Sequence, residues 1–271
     1  FADIVKQVRD HQFKDEVEPD RKNVPLLKSH FSLTETKPNN FIEDAWYRNK
    51  NWIKIFIPVS WIYRFLFKFF RKRDLASAWK PDFKTIVIGN LTVGGTGKTP
   101  LVIWLANELK KEGFSPGIVS RGYKSSVNNN PILIDQSSSP NDVGDEPLII
   151  FNNTNCPVVI GSDRVKAAKY LIKNKHCNIL ISDDGLQHFK LGRDIEIAMV
   201  DGLRKFGNNL LLPAGPLREP IKKLEQVDFV ISTNNFYSKN AEIKENNYLM
   251  SYKPVSWVNL KTKQSVDVHD W

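Results

Sequence analysis

The run Gly94-Gly95-Thr96-Gly97-Lys98-Thr99 follows an apolar stretch at residues 85–88 and precedes a helix-forming stretch that opens on Pro100. A glycine-rich turn in that context brings a buried strand end and a helix N-terminus to one point, which is the geometry of a phosphate cradle. Glycines let successive backbone N–H groups turn toward phosphate oxygens, and the helix N-terminus favours anions. Gly94, Gly95, Thr96 and Gly97 would form the cradle. Lys98 is placed to reach the β- and γ-phosphates, and the Thr99 hydroxyl to hold Mg2+. Pro100 is tolerated in a first helical turn, where its missing N–H has no partner to lose. Thr92 stands where such loops usually have their first glycine. The bland alternative is a glycine-rich turn with an incidental Lys-Thr pair.

The rest of the chain supplies the alternation that this loop requires. Short apolar runs at 85–88, 117–120, 131–134, 157–160, 178–182, 196–200 and 229–232 read as strands, and helical patterns lie between several of them, as at 101–112 and 164–173. Strands alternating with helices predict an α/β fold with a doubly wound, mostly parallel sheet of P-loop NTPase type. Near-continuous apolar runs suit strands covered on both faces. Residues 248–260 alternate as antiparallel strands would. The expected organisation is an extension at 1–40, a basic aromatic helix at 41–75, a P-loop core at 76–235, and the first strands of a smaller α/β domain at 236–271. The start at Phe1 and the stop at Trp271 read as a piece of a longer protein. Cys156 and Cys177 are the only cysteines, too few for a disulfide scaffold or a Cys-rich zinc site, and a reduced cytosolic compartment is the default.

Polar residues at strand ends are where doubly wound sheets bind ligands. Asp183 and Asp184 close the 178–182 run, and a carboxylate there can hold Mg2+ directly or through water. One of them could instead cap the turn at Gly185. Gln187 and His188 follow, and a His beside paired carboxylates reads as functional about as readily as structural. Arg121, Arg164 and Arg218 each stand just past a strand or in a Pro-rich loop, and each can pair with phosphate oxygens or simply face solvent. Asp145 or Glu146 either caps a helix beginning at Pro147 or serves as the base for an attacking hydroxyl.

The net charge of +9 is unevenly spread: residues 41–80 carry +6, and between residues 48 and 73 there are eight basic side chains and no acidic one. The same segment holds Trp52, Phe56, Trp61, Tyr63, Phe65, Phe67, Phe69 and Phe70. The aromatic run at 52–70 and the residues just after it, read as one helix, gather Lys54, Ser60, Arg64, Lys68, Arg71 and Lys72 within roughly 120° of one another, with apolar side chains around the rest. That pattern fits a helix lying in an anionic membrane interface, or a tilted single span. A core helix with a solvated basic face and a nucleic-acid patch are the rivals, the latter disfavoured. A guanine-specific Asn-Lys-x-Asp loop is missing, since Asn174-Lys175-His176-Cys177 lacks the Asp, so ATP is the expected nucleotide. Val93 stands where membrane-cycling partition ATPases carry an extra Lys.

Several stretches, in this order, resemble the tetraacyldisaccharide 4'-kinase family across residues 44–270. They are Gly89-Asn90 through Pro100, Ser120-Arg121-Gly122-Tyr123, Val143-Gly144-Asp145-Glu146-Pro147, Asp183-Asp184-Gly185-Leu186-Gln187-His188 and Leu212-Pro213-Ala214-Gly215-Pro216-Leu217-Arg218-Glu219. The P-loop alone is generic, whereas the last two stretches are specific. The resemblance implies transfer of the ATP γ-phosphate to the 4'-hydroxyl of a tetraacylated glucosamine disaccharide 1-phosphate, giving the lipid A precursor lipid IVA. It further implies a location at the cytoplasmic face of the bacterial inner membrane. It assigns Lys98 and Thr99 to ATP–Mg2+, Asp183 and Asp184 to the metal, and Asp145 to the base. Arg121, Arg164, Gln187, His188 and Arg218 then share that site, with Asp184 and His188 counted among the catalytic groups and Gln187 and the three Arg among those binding substrate. The family's smaller second domain supplies a further His, for which His269 lies too early. Two other readings stand beside it: a membrane-associated P-loop regulatory ATPase, and a nucleotide-binding fragment without turnover.

Overall fold

A computed structural model describes residues 41–122, 130–233, 247–251, 256–258 and 265–267. The 1–40 extension and Tyr123 lie outside the described residues. In chain order the elements begin with α1 (Phe41–Tyr47), a 3-10 helix (Asn51–Phe56), α2 (Ile57–Ala76), β1 (Lys84–Asn90) and α3 (Lys98–Lys111). Then come β2 (Pro116–Ser120), β3 (Ile132–Leu133), α4 (Pro140–Val143), α5 (Asp145–Thr154), β4 (Val158–Ile160), α6 (Arg164–Asn174) and β5 (Ile179–Ser182). β6 (Ile195–Asp201), a second 3-10 helix (Ile221–Glu225), β7 (Phe229–Thr233), β8 (Asn247–Met250), β9 (Ser256–Val258) and β10 (Ser265–Asp267) complete it.

Eight strands form one sheet in the order β3-β4-β2-β5-β1-β6-β7-β8. Only the short edge strand β3 runs antiparallel to its neighbour; every other pairing is parallel. β1 lies between β5 and β6, with Ile86 opposite both Ile181 and Ile195. Its side chains alternate between the two faces. Ile86 and Ile88 join the core under α3 and α5, through Leu101, Leu105 and Ile150. Val87 faces the other side with Leu91 and Leu186. Further along that second side, Ala167, Ala168 and Leu171 of α6 lie on Val119, Val159 and Leu180. Helices on both faces explain why the strands read as unbroken apolar runs.

Two expectations are corrected. The basic aromatic segment is not one helix over 52–70. Pro58 in a helix interior would remove a backbone bond and clash with the preceding turn, so the chain takes a 3-10 turn and restarts as α2 with proline in its first turn. The face assignment changes too. A stripe of Ser60, Tyr63, Phe67 and Arg71 rests on the body, while Arg64, Lys68 and Lys72 flank an exposed aromatic face. Second, the stretch expected to be antiparallel begins with β8, which extends the main sheet in parallel with β7; among the described residues past β7, the antiparallel pair is β9 with β10.

Candidate active site

β1 ends on Asn90, and α3 starts at Lys98. Between them Gly94 has φ 108° and Gly97, the helix cap, φ 82°; both are left-handed values that disfavour any side chain. Asn90 braces the loop from within. Its Nδ2 donates to the Gly94 carbonyl at 3.3 Å, and its Oδ1 accepts from Lys98 Nζ at 3.3 Å. The Pro-rich loop before the second 3-10 helix closes on the same turn: Val93 N–H donates to the Pro216 carbonyl at 2.9 Å and Arg218 N–H to the Leu91 carbonyl at 2.7 Å. The lysine ammonium is thus tied back to the end of β1 by the Asn90 amide.

The two adjacent carboxylates at the end of β5 have opposite environments. Asp183 is 1% exposed, and Ser120 Oγ donates to its Oδ2 at 2.9 Å. Burial pushes its carboxyl up to about 6, against the Ser120 bond and the Lys98 charge. Asp184 takes φ 49°, which turns it away from the strand. Its Oδ1 lies 3.4 Å from Lys98 Nζ and its Oδ2 3.5 Å from Arg218 Nη1. Partial burial raises its proton affinity, but the Lys98 and Arg218 cations outweigh that and hold the carboxyl below its ordinary range. Gly185 permits the turn, since a Cβ there would sit 2.4 Å from Ser182 Oγ. Asp183 Oδ1 is buried without a hydrogen-bond donor, and Asp184 Oδ1 is buried facing the Lys98 ammonium as an ion pair. Among the described residues no group of three or more His, Cys, Asp or Glu could hold a metal. A Thr hydroxyl with one or two carboxylates and the phosphates themselves fits Mg2+, which keeps several waters and needs no all-protein cage. Thr99, Asp183 and Asp184 are therefore a fitting donor set.

Lys98, Asp184, Gln187 and Arg218 are brought together. Gln187 Oε1 accepts from Arg218 Nη1 at 3.3 Å, while its Nε2 donates to the Asn90 carbonyl at 3.2 Å and to Glu219 Oε1 at 2.9 Å. Gln187 is thus committed to joining three segments. Arg164, expected to meet substrate, is instead 2% exposed: its guanidinium donates to the Gly161 carbonyl at 2.5 Å and to the Asp183 carbonyl at 3.5 Å. Burial brings it down to about 10 against the pull of Asp183 and Asp184. It acts on the site from behind the carboxylates. Arg121, by contrast, is exposed just past β2. His188 is pulled down to about 4 by burial and by the Arg164 and Arg121 charges, so its imidazole is neutral at pH 7. Asp145 and Glu146 open α5, both exposed; Gly144 is the cap residue, with no side-chain cap bond, so Asp145 is not a cap. Glu146 is near enough to raise the proton affinity of Asp183. Sequence reasoning did not place Asn90, Ser120 or Glu219 in the site. Asn90 and Ser120 each end an apolar run with a polar residue, the same signal that pointed to Asp183; Glu219 is only the last residue of a motif.

The family described as tetraacyldisaccharide-1-P 4'-kinase matches residues 52–270. The tetraacyldisaccharide 4'-kinase of Hamiltonella defensa is 39% identical over 232 residues, covering 84% of this chain and 69% of that protein. The tetraacyldisaccharide 4'-kinase of Legionella pneumophila (strain Corby) is 44% identical over 229 residues, covering 83% and 68%. Among solved structures, LpxK of Aquifex aeolicus in complex with ATP superposes with a TM-score of 0.66 at 28% identity, covering 81% of this chain and 70% of that one. With a P-loop, a split carboxylate pair and an arginine meeting at the carboxyl edge of one parallel sheet, the chain belongs to the tetraacyldisaccharide-1-P 4'-kinase family.

Proposed function

We propose that this chain transfers the γ-phosphate of ATP to the 4'-hydroxyl of a tetraacylated disaccharide 1-phosphate while seated on an anionic membrane surface at the cytoplasmic face of the bacterial inner membrane. The observation that carries the reading is the meeting of Lys98, Asp184 and Arg218 beside the phosphate loop. In a loose phosphoryl-transfer transition state, charge spreads over the transferred oxygens, and fixed cations stabilise it. Lys98 supplies one such cation, oriented by Asn90 and Asp184. Arg218 supplies a second, steadied by Asp184 and Gln187, and Arg121 stands exposed just past β2, near enough for its charge to act on His188. Thr99, Asp183 and Asp184 would hold Mg2+, which when bound neutralises phosphate charge. Asp145, exposed and free of a capping role, is the base that orients and receives the hydroxyl proton.

The membrane part rests on α2. Among the described residues no helix is long and apolar enough to cross a membrane. The exposed face of α2 carries Trp61, Ile62, Phe65, Leu66, Phe69 and Phe70. Arg64, Lys68 and Lys72 line one border, as an interfacial helix requires. The body side of α2 touches the site's own segments: Tyr63 Oη donates to the Arg218 carbonyl at 2.9 Å, and Phe67 meets Phe189 edge to face. An amphiphilic acceptor would then arrive from the bilayer at the end of the molecule that holds ATP.

The test is transfer of labelled γ-phosphate to the disaccharide lipid in mixed micelles, with wild type, Asp145→Asn and Glu146→Gln. Acceptor-dependent transfer, reduced roughly 10²–10⁴-fold by Asp145→Asn and much less by Glu146→Gln, is expected. ATP hydrolysis indifferent to the acceptor would favour a regulatory ATPase. Full kcat in Asp145→Asn would move the base to Glu146.

A further inference from the structure

We propose that Arg204 is a positioning residue of the phosphate loop, orienting the peptide between Gly95 and Thr96 so that its N–H meets the phosphates. This rests on ATP being the donor at that loop. Arg204 lies just past β6, outside every motif that pointed to the site. Its Nη2 donates to the Gly95 carbonyl. Its Nε donates to Asp201 Oδ2 at 2.7 Å, and Asp201 Oδ1 accepts the backbone N–H groups of Leu203 and Arg204 at 2.9 and 3.2 Å. The guanidinium carbon sits 5.7 Å from the centre of the Tyr47 ring. The arginine is therefore fixed through Nε on a carboxylate and by its face on an aromatic ring, which leaves both terminal nitrogens to face the loop.

In a trans peptide the C=O of one residue and the N–H of the next point in opposite directions. An arginine that captures the Gly95 oxygen on the side of Asp201 and Tyr47 turns the Thr96 N–H to the other side, where the cradle opens. Gly94 is part of the same fit. It has φ +108°, and a Cβ there would lie 3.2 Å from Arg204 Nη1. Arg204, held against Tyr47, thus braces a turn that its glycines would otherwise leave loose.

The experiment is calorimetric titration of the full chain with Mg2+-ATP, with KM for ATP and for the lipid acceptor measured in parallel. Arg204→Ala with an unchanged Tm is expected to bind ATP roughly 10–100-fold more weakly. KM for ATP should rise while KM for the acceptor stays put, a split that general loss of packing would not produce. Arg204→Lys keeps the charge without the fork and should recover only a small part of the loss. Wild-type affinity in Arg204→Ala overturns the proposal, and so does full recovery in Arg204→Lys, which would assign the effect to charge alone. If Arg204→Ala does not fold, Asp201→Asn takes its place; it keeps an acceptor for the turn and loosens the Nε anchor. A several-fold loss of ATP affinity is expected there, and none overturns the proposal. Wild-type protein that binds no ATP overturns the donor assignment and this proposal with it. Wild-type binding with unaffected variants overturns this proposal alone.

Discussion

Lys98 is the residue whose removal should separate chemistry from folding. Its ammonium stands 3.3 Å from Asn90 Oδ1 and 3.4 Å from Asp184 Oδ1, and the cap of α3 is Gly97 backbone rather than its side chain. Lys98→Ala should therefore keep the melting temperature within a few degrees while lowering phosphoryl transfer roughly 10²–10³-fold, as expected for a lost transition-state cation. Near-normal turnover by the folded variant would remove the lysine from the reaction. Asp184→Asn is informative in another way. Asn tolerates the left-handed backbone at φ 49°, so the turn survives while the charge facing Lys98 and Arg218 is lost. Its Mg2+ requirement should rise well above that of wild type and above that of Asp183→Asn, because Asp184 is the carboxylate held ionised by its neighbours. A Mg2+ titration of initial rates decides it, and an unchanged midpoint would make Asp184 an ion-pair partner only.

Among the elements, α2 divides its faces between two tasks. Trp61, Phe65 and Phe69 are 69%, 71% and 60% exposed, so they contribute almost nothing to the packed core. Replacing all three with Ser should leave thermal stability intact and abolish flotation with anionic vesicles, since the apolar face supplies the insertion and the flanking cations only the attraction. Phe67 is the control on the opposite face, edge-on to Phe189 with centroids 5.8 Å apart. Phe67→Ala should cost about 1–2 kcal/mol, less than for a fully buried phenylalanine because the ring is only half-buried. Flotation should be little changed. Triple-Ser protein that still floats, or that melts early, would return α2 to the status of a core helix.

For the molecule as a whole, two groups at the sheet's carboxyl edge, buried Asp183 and half-buried His188, shape the response to acid. His188 has its pKa depressed from 6.5 to about 4, so the stability linked to its neutral form is present above pH 6.5 and lost as pH falls toward 4. Asp183 runs the other way: its pKa is raised to about 6, so its contribution is present below pH 4 and lost as pH rises through 6. Each is worth on the order of 3 kcal/mol. With metal chelated, His188→Asn should flatten the fall in stability between pH 6.5 and 4, and Asp183→Asn should be more stable than wild type at pH 7. Denaturant unfolding at both pH values checks the pair, and parallel shifts in the two variants would contradict it. Neither sign is written in residue order, where Asp183 and Asp184 are neighbours of identical chemistry. Residue order does specify the parallel core and the P-loop, because strand period, glycine turn and helix start are properties of a few consecutive residues. It also specifies an amphipathic basic segment, although Pro58 moves its helix start and packing chooses which side rests on the body. The roles of Asn90, Glu219 and Arg204 emerge only when segments far apart in the chain close on one turn. Desolvation and hydrogen bonding depend on what surrounds a group in space, and packing alone decides which of two adjacent carboxylates is sealed in and which meets a lysine.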